Sequence, residues 1–200
     1  MAIDARGPWA ALEPTAASAL FFALDASWWV TGGRALDLFL GRSLPHHDLD
    51  IAVLRKEQDA VRSHLAAWDL HAMHDGLLTP WPSGTRLPHD RSVVWGRTAT
   101  YLPWQIKLLV ENTEADEWVY GPDDRVRLPL LALGLETPAD IPYVRPEVVL
   151  LHQAAAGADD TKHDADVAAV ATRLTATGRS WLHDALAMAQ PGHRWIRLLG

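Results

Sequence analysis

Two aspartates, Asp48 and Asp50, sit two residues apart and follow a paired glycine, Gly32-Gly33, with a short helical stretch between. On an extended segment, residues i and i+2 face the same side about 7 Å apart at the backbone, so both carboxylates leave one face of a strand. Carboxylates that close repel each other unless a cation lies between them. Hard oxygen ligands of this kind suit Mg2+, which completes its shell with water and substrate phosphates. A Gly-Gly turn that opens a helix offers backbone N–H groups and a positive dipole end to a polyphosphate. The chemistry these residues suit is transfer of a phosphoryl or nucleotidyl group, with metal and dipoles stabilising the developing charge.

The elements that must hold them are legible in the apolar pattern. Leu12, Ala16, Ala19, Leu20, Ala23 and Leu24 predict a helix over 9–25, with Pro14 early enough to be tolerated. Trp28 to Thr31 reads as a buried strand stopped by the glycines, and 34–40 as a short helix closed by Gly41. Asp48 to Leu54 alternates, with Leu49, Ile51 and Val53 on the apolar face and Asp48, Asp50 and Ala52 on the other. An amphipathic helix is predicted over 56–68, a strand over 70–73 and a long loop over 75–90. Strand-like pieces follow at 93–95, 104–111, 118–120 and 126–128. Pro138, Pro142 and Pro146 read as a connector, and Ala-rich helices are predicted over 146–156, 160–177 and 180–190. The fold class is α+β, a small mixed sheet flanked by helices with a C-terminal helical part. The division falls between a catalytic unit, 1–137, and a helical unit, 138–200.

Composition narrows the partners. A formal charge of −7 argues against a nucleic-acid binder, which normally shows a basic face. The absence of cysteine excludes disulfides, thiolate metal sites and a Cys nucleophile. The longest apolar stretch, 16–30, is broken by Asp25, so no membrane span is expected, and no signal peptide is read. A soluble, cytoplasmic chain is the expectation. The tryptophans read as core and wall residues rather than a dedicated stacking platform.

The run from Trp29 through Thr31-Gly32-Gly33-Arg34-Ala35-Leu36-Asp37-Leu38-Phe39-Leu40-Gly41-Arg42, then Pro45-His46-His47-Asp48-Leu49-Asp50-Ile51, resembles the nucleotidyltransferase superfamily of DNA polymerase β type. Within it the chain is most similar to the aminoglycoside and lincosamide adenylyltransferase group. Asp116-Glu117-Trp118-Val119, Ile141-Pro142-Tyr143 and Lys162-His163-Asp164-Ala165-Asp166 extend the likeness downstream. The resemblance implies a nucleotidyltransferase fold whose C-terminal helices close the substrate cleft. It further implies Mg2+-dependent transfer of a nucleoside monophosphate, AMP from ATP, to a hydroxyl of a small molecule such as an aminoglycoside-like antibiotic, with release of pyrophosphate. Asp48 and Asp50 would bind the metal, Gly32 and Gly33 the triphosphate, and Arg42 and Lys162 are candidate phosphate contacts.

One departure bears on the chemistry. The family adds a third carboxylate on a later strand, and the matching strand, Trp104 to Glu111, carries Lys107 there. Period two places Lys107, Leu109 and Glu111 on one face. Two readings stand: Glu111 substitutes as the acid or base, displaced about 13 Å along the strand, or Lys107 neutralises Asp48 and Asp50 and weakens metal binding. Asp90 and Asp116 are fainter candidates for the third acid, and Gln153 stands where relatives carry a lysine. An alternative function follows, a fold that binds a nucleotide or a cationic ligand without turnover. Arg34 is expected to pair with Asp37 or reach phosphate, His46 to bond backbone, and Arg97 to lie at the surface. The acids Glu111, Glu114, Asp116, Glu117, Asp123 and Asp124 form a negative patch suited to a cationic acceptor.

Overall fold

The computed structural model describes residues 3–4, 7–155, 161 and 163–200. Its centre is β3 (Asp50–Leu54), which lies between β2 (Trp28–Thr31), antiparallel to it, and β7 (Ile106–Glu114), parallel to it. On one side the sheet continues through β6 (Val93–Arg97), β4 (Asp69–His74), β5 (Leu77–Pro80) and β1 (Ile3–Asp4). On the other it continues through β11 (Pro142–Val144) and β10 (Gly134–Glu136). The far half of β7 also pairs with β8 (Glu117–Val119), which pairs with β9 (Arg127–Pro129). The sheet is mixed, as expected, but larger than the sequence suggests.

The helices are shorter than the periodicity predicts. α1 (Pro14–Phe21) starts on its proline and buries Ala17 and Phe21, and Phe21 meets the Trp28 ring at 5.1 Å. α2 (Gly32–Leu40) begins on the first glycine itself and ends where Gly41 adopts φ 64°. Residues 55–57 form a 3-10 turn before α3 (Gln58–His64). The helix stops there because the buried Arg62 guanidinium donates to the Leu65 and Trp81 carbonyls, which end the helical ladder and tie it to the next segment.

Three expectations are corrected. Residues 75–90 are not one loop: Asp75-Gly76, both at positive φ, turn the chain from β4 into β5, the conformation an Asp-Gly hairpin turn requires. The proline-rich connector contains the β10–β11 hairpin, with Pro142 at a strand start where its missing N–H is tolerated. Residues 137 and 138 lie between the two strands of that hairpin, and the first helix after it, α4, starts at Pro146. Finally, Ala52 is buried like Ile51 and Val53, because its ladder neighbours Trp29 and Leu109 flank it with larger side chains.

The C-terminal part comprises α4 (Pro146–Ala154), α5 (Asp164–Ala171), α6 (Ala176–Ala189) and α7 (Ile196–Leu199). α4 is buried along nearly its whole length and packs between α2 and α6, its buried Glu147 paired with Arg145. Its Val148, Val149 and Leu151 join Leu36, Ile51 and Leu108 in one apolar core. That shared core seats the helices against the strands carrying the aspartates. None of the described helices is long and apolar enough to cross a membrane.

Candidate active site

β2 ends at Thr31, paired with Asp50, and α2 begins at the next residue. Gly32 holds φ +63°, and a Cβ there would stand 2.3 Å from Asp50 Oδ2. A Cβ on Gly33 would stand 2.6 Å from the His46 ring. The glycine pair is thus required twice over: the backbone conformation favours glycine, and the vacated space is filled by Asp50 and His46. These contacts put the start of the helix directly against a carboxylate of the Asp48–Asp50 pair.

Asp37, not selected from the sequence, organises the loop between. It is buried on α2 and accepts from Arg42 Nε at 2.6 Å and from the Leu44 N–H at 2.8 Å, and lies 2.8 Å from His46 Nε2. Burial works to raise its pKa, but these hydrogen bonds hold it below the usual carboxylate range. The available signal was a carboxylate on an apolar helix face followed by Arg42 and His46.

Asp48 lies just ahead of β3 and Asp50 opens it. In the parallel ladder Asp50 pairs with Lys107, whose N–H donates to the Leu49 carbonyl at 2.8 Å. The Lys107 ammonium is ion-paired with Asp48 Oδ2 and lies 2.8 Å from Asp50 Oδ1. Lys107 is thus ion-paired with both carboxylates, and one negative charge is left over when both are ionised. Burial pushes the Asp50 carboxyl up; Lys107 pulls against it and the Asp48 charge adds to it. Burial lowers the Lys107 amine, but the charges of Asp50 and Asp48 more than offset this and hold it above its ordinary value.

Beside this triad stand aromatic walls. Trp95 is the cross-strand partner of Lys107, and Trp9 packs edge-on to it at 4.8 Å and against His47 at 5.9 Å. Trp104, Trp118 and Trp195 are core residues, whereas Trp9 and Trp95 are half-buried at the aspartate loop.

Glu111 follows Lys107 on the same face of β7, about 13 Å along. Its Oε2 accepts from Trp118 Nε1 at 2.9 Å, and its Oε1 lies 3.4 Å from His152 Nε2 on α4. Burial raises Glu111, yet His152 and the Trp118 bond hold it below its ordinary value; burial lowers His152, yet Glu111 holds it above. The two line a cavity of about 460 Å³ with Arg55, Asp90, Ser92 and Leu109. Leu109 lies between Lys107 and Glu111 on the strand, so the cavity opens one strand repeat from Lys107 on the same face of β7. His152 carried no signal in the sequence, being forty-one residues from its partner.

Other predicted residues are engaged elsewhere. Arg42 also donates to Asp166 at 2.9 Å, joining α2 to α5. Arg34 pairs with Glu13 through two bonds of 2.8 and 2.9 Å, neither with Asp37 nor toward phosphate. His46 bonds a side chain, Asp37, rather than backbone. Arg97 is not a surface residue: it stacks on Trp104 at 4.1 Å and pairs with Asp69. Half of the negative patch is ion-paired with arginines, Glu114 and Glu117 with Arg127 and Asp123 with Arg125. Asp90 is exposed at the cavity rim, Asp116 is exposed in the β7–β8 turn, and Lys162 lies outside the described residues.

Among the described residues, no group of three or more acidic or histidine side chains is arranged to hold a metal ion. With an ammonium between Asp48 and Asp50, and Lys107 where a third carboxylate is expected, the residues present do not fit a resident Mg2+.

No curated protein matches the chain. Residues 15–77, which hold the glycine turn and both aspartates, match the model of the aminoglycoside-2''-adenylyltransferase family. The crystal structure of ANT(2")-Ia in complex with adenylyl-2"-tobramycin superposes with a TM-score of 0.54 over 84% of this chain and 92% of that one, at 14% identity. That likeness shows a shared fold. The family match makes the chain similar to the aminoglycoside adenylyltransferase group over the segment that holds Gly32-Gly33 and Asp48-Leu49-Asp50.

Proposed function

We propose that this chain is an adenylyltransferase that moves AMP from ATP to a hydroxyl of an aminoglycoside-like acceptor, a reaction that needs the ATP of the cytoplasm. The observation that carries the reading is the contact of Asp50 with the start of α2, inside the segment that matches the family model. In this reading the backbone N–H groups at Gly32 and Gly33 hold the triphosphate. The acceptor oxygen bonds to the α-phosphorus, the bond from that phosphorus to the bridging oxygen breaks, and pyrophosphate leaves. The hydroxyl proton passes to the carboxylate of Asp48, the more exposed of the pair at 31% against 17%. The acceptor lies along β7, between Trp95 beside Lys107 and the cavity that Glu111 and Leu109 line.

The test is incubation with ATP and tobramycin, following pyrophosphate release and the mass of the acceptor. The expected result is acceptor-dependent pyrophosphate and a product heavier by one adenylyl group. No product with any of a panel of aminoglycosides overturns the acceptor class, and substituting GTP, CTP or UTP for ATP tests the base preference.

A further inference from the structure

An ion pair between a lysine and two aspartates is commonly a fold-stabilising contact. Three observations set this one apart. First, the start of α2 is pressed against Asp50 of the pair through the missing side chain of Gly32. Secondly, Lys107 cannot drift from it: the β3–β7 ladder sets it opposite Asp50, and its own N–H is bonded to Leu49 between the two aspartates. Thirdly, the arginines near the helix start are, among the described residues, committed elsewhere, Arg34 to Glu13 and Arg42 to Asp37 and Asp166. Lys107 is therefore the positive charge that the fold delivers to both carboxylates.

We propose that Lys107 is the resident cation of this site: its ammonium takes the seat between Asp48 and Asp50 that a divalent ion would need, so the chain takes up no divalent ion there. This rests on the adenylyltransferase reading only in what the site is for, not in where the cation sits. The ammonium donates to Asp48 Oδ2 and faces Asp50 Oδ1 as a charge contact, and, unlike a divalent ion, it is covalently tethered and cannot be chelated away. It brings one positive charge instead of two, and the triad keeps a net charge of −1 when both aspartates are ionised. Replacing it with an acid removes the competing cation and supplies a third oxygen ligand, which suits a hard divalent ion.

The test is titration of Mn2+ alone into the intact chain, reading free Mn2+ by electron paramagnetic resonance. Wild type, Lys107→Glu, Lys107→Met and Lys107→Glu/Asp50→Asn are compared, with circular dichroism confirming folding. The expected result is no uptake by wild type in the millimolar range. Lys107→Glu gains affinity about tenfold or more, as an added charged ligand should give, and the gain disappears with Asp50→Asn. Where Lys107→Glu fails to fold, Lys107→Met serves, since removing the ammonium alone frees the pair and uptake appears. Asp50-dependent Mn2+ uptake by wild type overturns the proposal, as does a folded Lys107→Met or Lys107→Glu that gains nothing. No nucleotide or acceptor is present. A failed search for an aminoglycoside product therefore counts against the reaction alone, and wild-type Mn2+ uptake counts against the lysine alone.

Discussion

Gly32 leaves the space that the Asp50 carboxylate occupies: a Cβ at this position would stand 2.3 Å from Oδ2, and the backbone holds φ +63°. A strand end and a helix start meet here without a side chain between them. The Gly-Gly pair is therefore part of the carboxylate site rather than merely a turn ahead of it.

Gly32→Ala should be destabilising by about 2 kcal/mol or more, from the left-handed backbone and from displacement of Asp50. At this chain length that is a fall in Tm of roughly 4–8 °C. Thermal melts followed by circular dichroism measure it. An unchanged Tm would show that the helix start relaxes away from Asp50 at little cost.

Asp50→Asn keeps the shape of the side chain while removing one charge. Adenylyl transfer should fall by roughly 10²-fold or more, with the far-ultraviolet spectrum preserved. Turnover within a few-fold of wild type would remove Asp50 from the proposed reaction.

The Glu111–His152 pair predicts a stability window in pH. His152 is held above its ordinary value of 6.5, so its contribution is complete below that pH and fades as pH rises through the raised value. Glu111 is held below its ordinary value of 4.5, so its contribution is complete above that pH and fades as pH falls through the lowered value. The Tm difference between wild type and His152→Gln should be largest between these ordinary values and shrink on both sides. Melts from acid to mildly alkaline pH test this, and a difference independent of pH would mean the pair is not ionised.

Local chemistry was enough for much of this protein. Alternation marked β3, an apolar run stopped by glycines marked β2, Gly41 marked the end of α2, and the spacing of Gly32-Gly33 and Asp48-Leu49-Asp50 gave the candidate site. These are signals whose physical cause lies within a few residues: side-chain period, a left-handed cap, a turn. The Asp75-Gly76 hairpin was equally local, but the prolines around it masked the signal. What spacing left open was decided by pairing across the sheet. The parallel register of β3 and β7 puts Lys107 opposite Asp50, so the lysine is ion-paired with both aspartates. The shared apolar core brings α4, and with it His152, up to Glu111, and Arg34 finds Glu13 ahead of α1 rather than Asp37 one turn away. Such partners are far apart in the chain, and burial and ladder register choose among them only once the sheet and helices have packed.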